Sequence, residues 1–452
     1  MKKQTKLVAV LSTAALLAIG ASMTSFAATG WAEEDGTWVY YDRNGDKVTD
    51  KWAKSGNNWY YLDSNGEMAV DQLIEDGDNY YYVDVNGVMA ANQWVAIDNE
   101  DAGQDDEPEH YWYYFQANGK AMKNTTNKVA LKTINGKKYT FDDEGKMLYG
   151  WVNDQNEHQD NTDGDAFKSA DYYFGDENDG AMTTGWLLTD VTYNEATNDD
   201  YKYTAAAFND DEDQTRWFYF KSNGKMIKAD NGERTKDKTI NGKKYAFDEY
   251  GAMVAEWSLD EGDEKIASKS EERAKASVGA ATTSNAWSGA GNYAKYTQAW
   301  RYFNSVEDGS RVSKGWFKVV AAEMLNKDKY DDDEDAWYYA DGSGKLYAGE
   351  FKTIKGKKYA FRNDGRMLSG LKFIKEGTDD FAGVVADDDD NHSFDNEDDF
   401  LAQASTYFEG EGYKCYYFGG GEDGAMRTGK TSLTFDGENT NFYFEKSGSK
   451  KG

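Results

Sequence analysis

A unit of about 20 residues, built on tryptophan and tyrosine, repeats along this chain and constrains its fold more than any other feature. The first copy leads from Trp31 to Trp38-Val39-Tyr40-Tyr41, and the next leads from Trp52 to Trp59-Tyr60-Tyr61-Leu62. Thirteen of the 14 tryptophans occupy one of these two positions in a copy. Because so short a unit cannot bury a core alone, fold and function must arise from stacked copies.

Each copy predicts a β-hairpin, with a tryptophan-led strand, a turn and an aromatic strand. Aromatic residues make up 15% of the chain, and 45 glycines accompany a single proline, Pro108. Aromatic residues favour strands, and Asn-Gly pairs such as Asn65-Gly66 favour tight turns. Thirteen copies are found between Trp31 and Thr431. We therefore expect an all-β solenoid of stacked β-hairpin repeats, with acidic loop insertions at the hairpin tips.

Insertions stretch six of the copies between their two strands. They are rich in acidic residues, as in Asp331-Asp332-Asp333-Glu334-Asp335, and are predicted to be solvated loops. Only residues 261–278 have the length and the Ala, Lys and Glu content expected of a helix. Short copies, such as Thr133-Ile134-Asn135-Gly136-Lys137-Lys138-Tyr139, alternate with pairs of long ones in a threefold order.

The N-terminal segment is typical of a secretory signal peptide. Three lysines precede an apolar run from Leu7 to Ile19, and Ser25-Phe26-Ala27 fits a cleavage site. We predict a signal peptide at residues 1–27, a repeat domain at residues 28–452, and no transmembrane segment after cleavage. Removal of three lysines and no acids takes the formal net charge from −31 to −34. A surface this acidic repels nucleic acid, so we expect no nucleic-acid partner.

Catalytic and metal motifs are not apparent in the sequence. The three histidines, His110, His158 and His392, are dispersed without metal-ligand spacing. Cys415 stands where other copies carry tryptophan, so it is interpreted as a small packed hydrophobic residue. The acidic stretch 160–165 lacks the alternation of an EF-hand, which favours a solvated loop over weak calcium association. We therefore predict a protein that is not an enzyme and needs neither a cofactor nor a metal.

The repeats resemble the choline-binding, or cell-wall-binding, repeats of Gram-positive surface proteins. The strings starting at Trp31 and Trp52 carry this resemblance, while the Thr-Ile-Asn-Gly-Lys-Lys-Tyr copies are similar to repeats of clostridial toxins and glucan-binding glucosyltransferases. The resemblance implies stacked hairpins, ligand pockets between them and non-covalent retention at the cell wall.

The resemblance also implies which residues form the pockets. A pocket takes both tryptophans of one hairpin and a tyrosine of the next, often with a methionine beyond the turn. The implied sets are Trp31, Trp38 and Tyr60; Trp52, Trp59, Tyr81 and Met68; Trp94, Trp112, Tyr139 and Met122; Trp186, Trp217, Tyr245 and Met226; Trp257, Trp300 and Tyr338 with Val312; and Trp316, Trp337 and Tyr359 with Leu346. Leu73, Leu131, Lys138, Asp171, Lys244 and Lys358 depart from the pattern.

Ring faces of this kind hold quaternary ammonium groups but also stack on sugars and on one another. The leading hypothesis is therefore an exported protein that binds teichoic-acid choline, in non-covalent association with the bacterial cell wall. One alternative is a binder of glucan, cell-wall polysaccharide or host glycan. Another is a surface display protein that binds a protein partner through its insertions.

Overall fold

The computed structural model describes residues 29–104, 107–192, 214–230, 234–259, 294, 296–323, 325–376, 381–385, 397–405, 413–435, 437–448 and 451–452. The predicted signal peptide and the helix predicted at residues 261–278 lie outside these residues. The chain divides into two compact units. Unit 1 comprises residues up to Thr162 and from Ala170 to Thr183, and unit 2 comprises Asp163–Ser169 and Thr184–Gly452.

Unit 1 is a succession of six antiparallel two-stranded hairpins, numbered 1 to 6 in chain order. Their strands are β1 (Gly30–Glu34) with β2 (Thr37–Tyr41), β3 (Lys51–Ser55) with β4 (Asn58–Leu62), β5 (Gln72–Asp76) with β6 (Asn79–Val83), β7 (Gln93–Asp98) with β8 (His110–Phe115), β9 (Lys132–Ile134) with β10 (Lys137–Tyr139), and β11 (Gly150–Val152) with β12 (Tyr172–Phe174).

Unit 2 continues the succession with hairpins 7 to 13. Their strands are β13 (Gly185–Val191) with β14 (Gln214–Phe220), β15 (Lys238–Ile240) with β16 (Lys243–Tyr245), β17 (Glu256–Leu259) with β18 (Trp300–Phe303), β19 (Gly315–Val320) with β20 (Asp335–Ala340), β21 (Glu350–Ile354) with β22 (Lys357–Phe361), β23 (Leu371–Glu376) with β24 (Phe381–Val385) and β25 (Lys414–Tyr417), and β26 (Gly429–Phe435) with β27 (Glu438–Phe444). The all-β fold of successive hairpins is confirmed.

Two kinds of turn recur among the hairpins. At the tips, pairs such as Asp35-Gly36 and Asn135-Gly136 have positive φ at both residues, which suits the twist of the flanking strands. After the aromatic strand, an aspartate side chain closes a second turn. In hairpin 2, for example, Asp63 Oδ1 accepts hydrogen bonds from the backbone N–H groups of Asn65 and Glu67, each at 2.8 Å. Short side chains that tolerate or cap tight turns therefore fix the repeat length.

The core runs along the hairpins as a series of small clusters. From hairpin 2 onward, an apolar residue at the end of the aromatic strand is buried, as are Leu62, Val83 and Phe115 at 0% exposure. The residue that follows the second turn then bridges back to this position, as Met68 does to Leu62 and Met89 does to Val83. Within each unit, these buried residues form a series of apolar layers along the hairpins.

Some of the insertions differ from the solvated loops predicted for them. Within unit 2, Phe167 is fully buried beside Phe218, with ring centroids 5.7 Å apart. The insertion in hairpin 12 adds the third strand, β24, and a helix that buries Phe400. The expectation that no segment other than residues 261–278 would be helical was also wrong. Helix α1 spans Lys327–Asp331, α2 spans Glu397–Ser405, and Ala166–Lys168 forms a 3-10 turn.

Cys415 is buried, and burial raises the pKa of its thiol, so its predicted role as a packed hydrophobic residue is confirmed. No helix within the described ranges has the length and apolar character needed to cross a membrane.

Candidate ligand-binding clefts

Three consecutive hairpins build each aromatic cleft. The first hairpin supplies a tryptophan from each of its strands. The second hairpin supplies a tyrosine from its aromatic strand and the residue that follows its second turn. The third hairpin supplies its own second turn. We name each cleft after its first-strand tryptophan. The third wall was not foreseen from the sequence, because it comes from a hairpin two copies away.

The Trp52 cleft is open, with a volume of about 570 Å³. The Trp52 ring lies 5.1 Å from that of Tyr61 and 5.0 Å from that of Tyr81, and burial raises the pKa of Tyr81. Trp59 faces solvent with 41% of its surface exposed. The lining also holds Asn57, Asn58, Met89, Ala91, Ala117 and Asn118, so amide groups surround the rings.

The Trp186 cleft is smaller, at about 200 Å³, and is lined by Trp186, Trp217, Tyr245, Met253, Glu307 and Asp308. The Trp186 ring meets that of Trp217 edge-on at 6.0 Å and that of Tyr245 at 4.8 Å. Two aromatic walls at right angles and a third ring form an apolar corner. Glu307 and Asp308 line this corner from the third hairpin.

The Trp316 cleft repeats this geometry. Its tryptophans, Trp316 and Trp337, lie 6.3 Å apart at 87°, and Tyr359 lies 4.8 Å from Trp316. A cavity of about 330 Å³ at Trp337 is bordered by Met367, Lys318 and Glu422, among others. Here a carboxylate from the third hairpin contacts one of the rings, since Glu422 accepts a hydrogen bond from Trp337 Nε1 at 2.9 Å.

The methionines stand one hairpin away from their predicted places. The backbone N–H of Met89 donates to the carbonyl of Trp59 at 2.9 Å, and that of Met253 donates to Trp217 at 2.8 Å. Met68 instead donates to Trp38 at 2.7 Å and belongs with Trp31 and Tyr60. Because this bond always reaches back to the preceding hairpin, a methionine lines the cleft formed with that hairpin. Met226 is therefore not part of the Trp186 lining.

The same rule assigns a methionine to two further clefts. The backbone N–H of Met147 donates to the carbonyl of Trp112 at 2.7 Å. The predicted Met122 packs against the same hydrophobic cluster, but its backbone N–H donates to Tyr114 of its own hairpin. Met367 donates to Trp337 at 2.8 Å, so the Trp316 cleft does have a methionine and Leu346 is not its counterpart.

The Trp31 and Trp94 sets also bring their predicted rings together. Trp31 lies 5.3 Å from Tyr60, and Trp94 lies 4.9 Å from Tyr139. The indole N–H groups of Trp31 and Trp112 are buried without a hydrogen-bond partner among the described residues.

The Trp257 set is a closed core, contrary to the prediction of a pocket. Trp300 and Tyr338 are both 0% exposed. Tyr296, from the end of the insertion, meets Trp300 edge-on at 6.1 Å, and Leu325 packs into the same cluster. The spacing of four residues between Tyr296 and Trp300 was the available signal, since it puts both on one side of a helical turn.

In two of the copies that depart from the aromatic pattern, cationic side chains of the protein itself contact the first-strand position. In hairpin 8, Asp237 takes the first tryptophan position and forms an ion pair with Arg311 of hairpin 9. In hairpin 11, the ammonium groups of Lys358 and Lys451 lie 4.7 and 4.9 Å from the ring centre of Phe351. These positions are therefore filled by side chains of the chain itself.

A threefold period links the short hairpins to the clefts. In hairpins 5, 8 and 11 the first lysine of the Lys-Lys-Tyr string pairs with an aspartate in the second turn of the next hairpin. The pairs are Lys137 with Asp179 at 2.6 Å, Lys243 with Asp308 at 3.1 Å, and Lys357 with Asp423 at 3.7 Å. Each pair stands beside the Trp94, Trp186 or Trp316 cleft, so one such cleft recurs every three hairpins.

Metal-ligating geometry is not present in the part of the chain that the structure describes, where no three His, Cys, Asp or Glu side chains converge. His158 Nδ1 lies 2.9 Å from the carbonyl oxygen of Tyr149, and His110 lies against the Trp112 ring. Asp160 Oδ1 accepts hydrogen bonds from Thr162 within its own loop. His392 lies outside the described residues.

Two family models match this chain. Residues 28–72 and 48–94 match a choline-binding repeat, and residues 213–226 match a cell wall binding repeat. Residues 28–94 and 213–226 are thus choline-binding and cell wall binding repeats. The repeats matched at residues 28–94 include hairpins 1 to 3, and therefore the Trp31 cleft and the aromatic rings of the Trp52 cleft. The other match includes Trp217 of the Trp186 cleft.

A curated relative of this repeat protein is glucosyltransferase-S of Streptococcus mutans. The two are 26% identical over 276 residues, which are 57% of this chain and 16% of the enzyme. The repeat protein thus aligns with only a small part of that enzyme's length.

Similar solved structures come from Streptococcus pneumoniae. Choline-binding protein F is 17% identical, with 91% of this chain and 95% of that chain covered and a TM-score of 0.35. The modular autolysin LytC is 17% identical, with 76% and 54% covered and a TM-score of 0.36. The choline-binding domain of CbpL is 22% identical, with 52% and 90% covered and a TM-score of 0.29.

Proposed function

We propose that this repeat protein is exported, is not an enzyme, and binds the bacterial cell wall by recognising choline on teichoic acids. The observation that carries the proposal is the set of open aromatic clefts at Trp52, Trp186 and Trp316. A quaternary ammonium group cannot donate hydrogen bonds, so it is held by ring faces such as these. The choline-binding repeat match at residues 28–94 supports the same ligand.

Several weak sites on one chain suit a polymeric ligand. Each ring face contributes about 0.5–2 kcal/mol, so a cleft of three rings binds choline with millimolar affinity or somewhat better. Teichoic acid presents many choline groups, and simultaneous binding at several clefts multiplies these affinities. Free choline at high concentration therefore competes for the clefts and releases the protein from the wall.

The experiment is retention of the exported protein on choline-bearing cell walls, followed by elution with choline. We expect binding that choline reverses, and we expect it to be lost in the triple variant Trp59→Ala, Trp217→Ala, Trp337→Ala. The control variant Tyr330→Ala, Tyr443→Ala removes exposed aromatic rings that line none of the three clefts; those rings are 48% and 68% exposed. Retention that choline does not reverse would contradict the proposal.

A glucan is the second candidate ligand, because the Trp52 cleft surrounds its rings with the amides of Asn57, Asn58 and Asn118. Aromatic faces with adjacent amide groups suit a sugar ring and its hydroxyls. The partial similarity to glucosyltransferase-S points in the same direction. Retention on a dextran column, with elution by glucose oligomers but not by choline, would favour this candidate.

The absence of enzymatic activity is tested on the same material. We expect cell walls incubated with the protein to release neither reducing sugars nor free amino groups. Release of either, when it survives the triple cleft substitution, would identify a hydrolase.

A further inference from the structure

Hairpin 11 repeats the ring arrangement of the open clefts at a site that was not predicted. Phe351 takes the first-strand position, and its ring lies 5.2 Å from that of Tyr416 at an interplanar angle of 62°. In the Trp316 cleft, the ring of Trp316 lies 4.8 Å from that of Tyr359 at 64°. The two rings that would hold a ligand are therefore in place, and we name this site the Phe351 cleft.

The Phe351 cleft has a lysine where the open clefts have their second tryptophan. Lys358 holds that position, since the backbone N–H of Met426 donates to its carbonyl at 2.7 Å. Met367 donates in the same way to Trp337 at 2.8 Å. The ammonium group of Lys358 lies 4.7 Å from the centre of the Phe351 ring. The cleft thus keeps its tyrosine and its methionine and has two aromatic rings instead of three.

A second lysine enters the Phe351 cleft from its third wall, which is the second turn of hairpin 13. Glu445 and Gly452 close this turn by exchanging two backbone hydrogen bonds, at 2.7 and 3.0 Å. The turn holds the half-buried Lys451, whose ammonium group lies 4.9 Å from the ring centre of Phe351 and 5.6 Å from that of Tyr416. A cation of the chain therefore contacts both of the rings that a ligand cation would use.

An ammonium group tethered in this way competes strongly with a free one. Aromatic ring faces attract any ammonium group, and a tethered group is present at an effective concentration in about the millimolar range or above. A cleft of three rings binds free choline with roughly millimolar affinity, so the two rings of the Phe351 cleft bind it more weakly. Free choline therefore does not displace Lys451 at concentrations that fill the open clefts.

We propose that the Phe351 cleft is a further ammonium-binding site, which Lys451 occupies as a built-in ligand. This inference rests on the proposed function, since it takes the ring arrangement of the open clefts to be that of a ligand site. Lys451 closes the cleft to choline and fastens hairpin 13 to hairpin 11. Loss of its positive charge opens the cleft to a small quaternary ammonium ligand.

The experiment follows one fluorine signal in the cleft during titration with choline. Nonsense suppression puts 4-fluorophenylalanine in place of Phe351 alone in the exported full-length protein, and sodium chloride keeps the ionic strength constant. In the parent we expect no saturable shift of this signal up to about 100 mM choline. In Lys451→Ala we expect a saturable shift with half-saturation at roughly 10 mM. Lys446→Ala is the matched control, because it removes an exposed lysine of the same turn, and it should behave as the parent does.

Further variants separate the two lysines and guard against misfolding. Lys358→Trp added to Lys451→Ala supplies the third ring and removes the other cation, so choline should bind about fivefold more tightly than to Lys451→Ala. Lys358→Trp alone should leave the cleft closed, because Lys451 still contacts both rings. Should Lys451→Ala loosen hairpin 13, Lys451→Gln serves, because it keeps much of the side chain and removes the charge. Urea midpoints show that each titrated variant is folded.

The outcomes separate the inference from the proposed function. A signal at position 351 that does not respond to choline in any folded variant lacking Lys451 would overturn the inference. A parent signal that shifts with choline as the Lys451→Ala signal does would also overturn it, because Lys451 would then not occupy the cleft. Both results leave the proposed function standing, since its own test is choline-reversible retention through Trp59, Trp217 and Trp337.

Discussion

Met89 occupies space that Gly119 leaves open at the rim of the Trp52 cleft. A Cβ atom on Gly119 would lie 2.4 Å from Met89 Sδ, and Gly119 has a φ of +81°. The same relationship joins Met253 to Gly309 and Met367 to Gly424. The turn of one hairpin and the methionine of the hairpin before it are therefore matched in shape.

Gly119→Ala should therefore weaken ligand binding at the Trp52 cleft as well as destabilise the fold. The left-handed backbone costs alanine about 1–2 kcal/mol, and the new methyl group must push Met89 out of its position. Gly136→Ala is the matched control, because its φ is +83° with open space around the Cβ position. Urea unfolding should show similar losses for both variants, while titration at Trp59 should show weaker binding only for Gly119→Ala. Equal binding by the two variants would mean that Met89 does not shape the cleft.

The two tryptophans of the Trp52 cleft should separate binding from stability. Trp59→Ala removes a ring that is 41% exposed and should cost less than about 1 kcal/mol of unfolding free energy while abolishing ligand binding in that cleft. Trp52→Ala removes a ring packed between Tyr61 and Tyr81 and should cost about 2–4 kcal/mol. Chemical denaturation and choline titration of both variants measure the difference. A large stability loss in Trp59→Ala would show that this ring serves packing instead.

The Asp237–Arg311 ion pair should contribute more to the free energy of unfolding than the Lys137–Asp179 ion pair beside the Trp94 cleft. The side chains of Asp237 and Arg311 are 17% and 9% exposed, whereas those of Lys137 and Asp179 are more than half exposed. Asp237→Ala leaves a guanidinium group without its carboxylate and should cost about 2–3 kcal/mol. Lys137→Ala should cost less than about 1 kcal/mol. Urea midpoints of the two variants provide the comparison, and equal midpoints would refute it.

Stability should fall as pH rises from about 4 to 7 because of Asp248. Burial raises the pKa of this carboxyl from 3.8 to about 7, despite hydrogen bonds from Ala252 and Tyr250 that act to lower it. Since the folded state holds the proton more tightly than the unfolded state, Asp248 stabilises the fold most below pH 4 and progressively less up to pH 7.

The corresponding variant is Asp248→Asn, whose amide oxygen still accepts the turn hydrogen bonds. Its melting temperature should fall less steeply with pH over this window than that of the parent protein. Asp63→Asn, at the equivalent and more exposed turn of hairpin 2, should keep the slope of the parent. Parallel slopes for all three proteins would exclude Asp248 as the source.

Lys355→Asn should stabilise hairpin 11. Lys355 has a φ of +48°, and its counterparts in hairpins 5 and 8 are Asn135 and Asn241, each with a φ of +49°. Asparagine tolerates the left-handed region better than lysine, so we expect a gain of about 0.5–1 kcal/mol. Thermal unfolding measures it, with Asn241→Lys as the reciprocal variant that should lose a similar amount. A loss on Lys355→Asn would show that the lysine side chain compensates the backbone strain.

The aromatic and glycine spacing of the sequence predicts the hairpins well, because strand and turn preferences are local. It also predicts which tryptophan and tyrosine rings meet, since adjacent copies stack in a constant register. The methionine assignments were wrong because a bond such as that from Met89 to Trp59 joins two hairpins. The insertions at Phe167, Tyr296 and Phe400 were misjudged because these residues stand in stretches whose overall polar composition favours solvated loops.

The acidic residues of the third wall could be predicted only if the order in which the hairpins stack were already known. Glu307 is 90 residues beyond Trp217 in the sequence, behind an intervening hairpin and a long insertion. Only the stacking of consecutive hairpins brings the two to one cleft.

Because each cleft takes its walls from three consecutive hairpins, the number of complete sites is smaller than the number of copies. A lone copy gained or lost by recombination would change the neighbours of every hairpin around it and replace one turn with another of different charge. The gain or loss of a block of three copies, from one Lys-Lys-Tyr copy to the next, would instead leave each aromatic ring next to the same kind of turn as before. The heritable module of this protein is thus a triplet, and its avidity can grow through duplication without any new contact having to evolve.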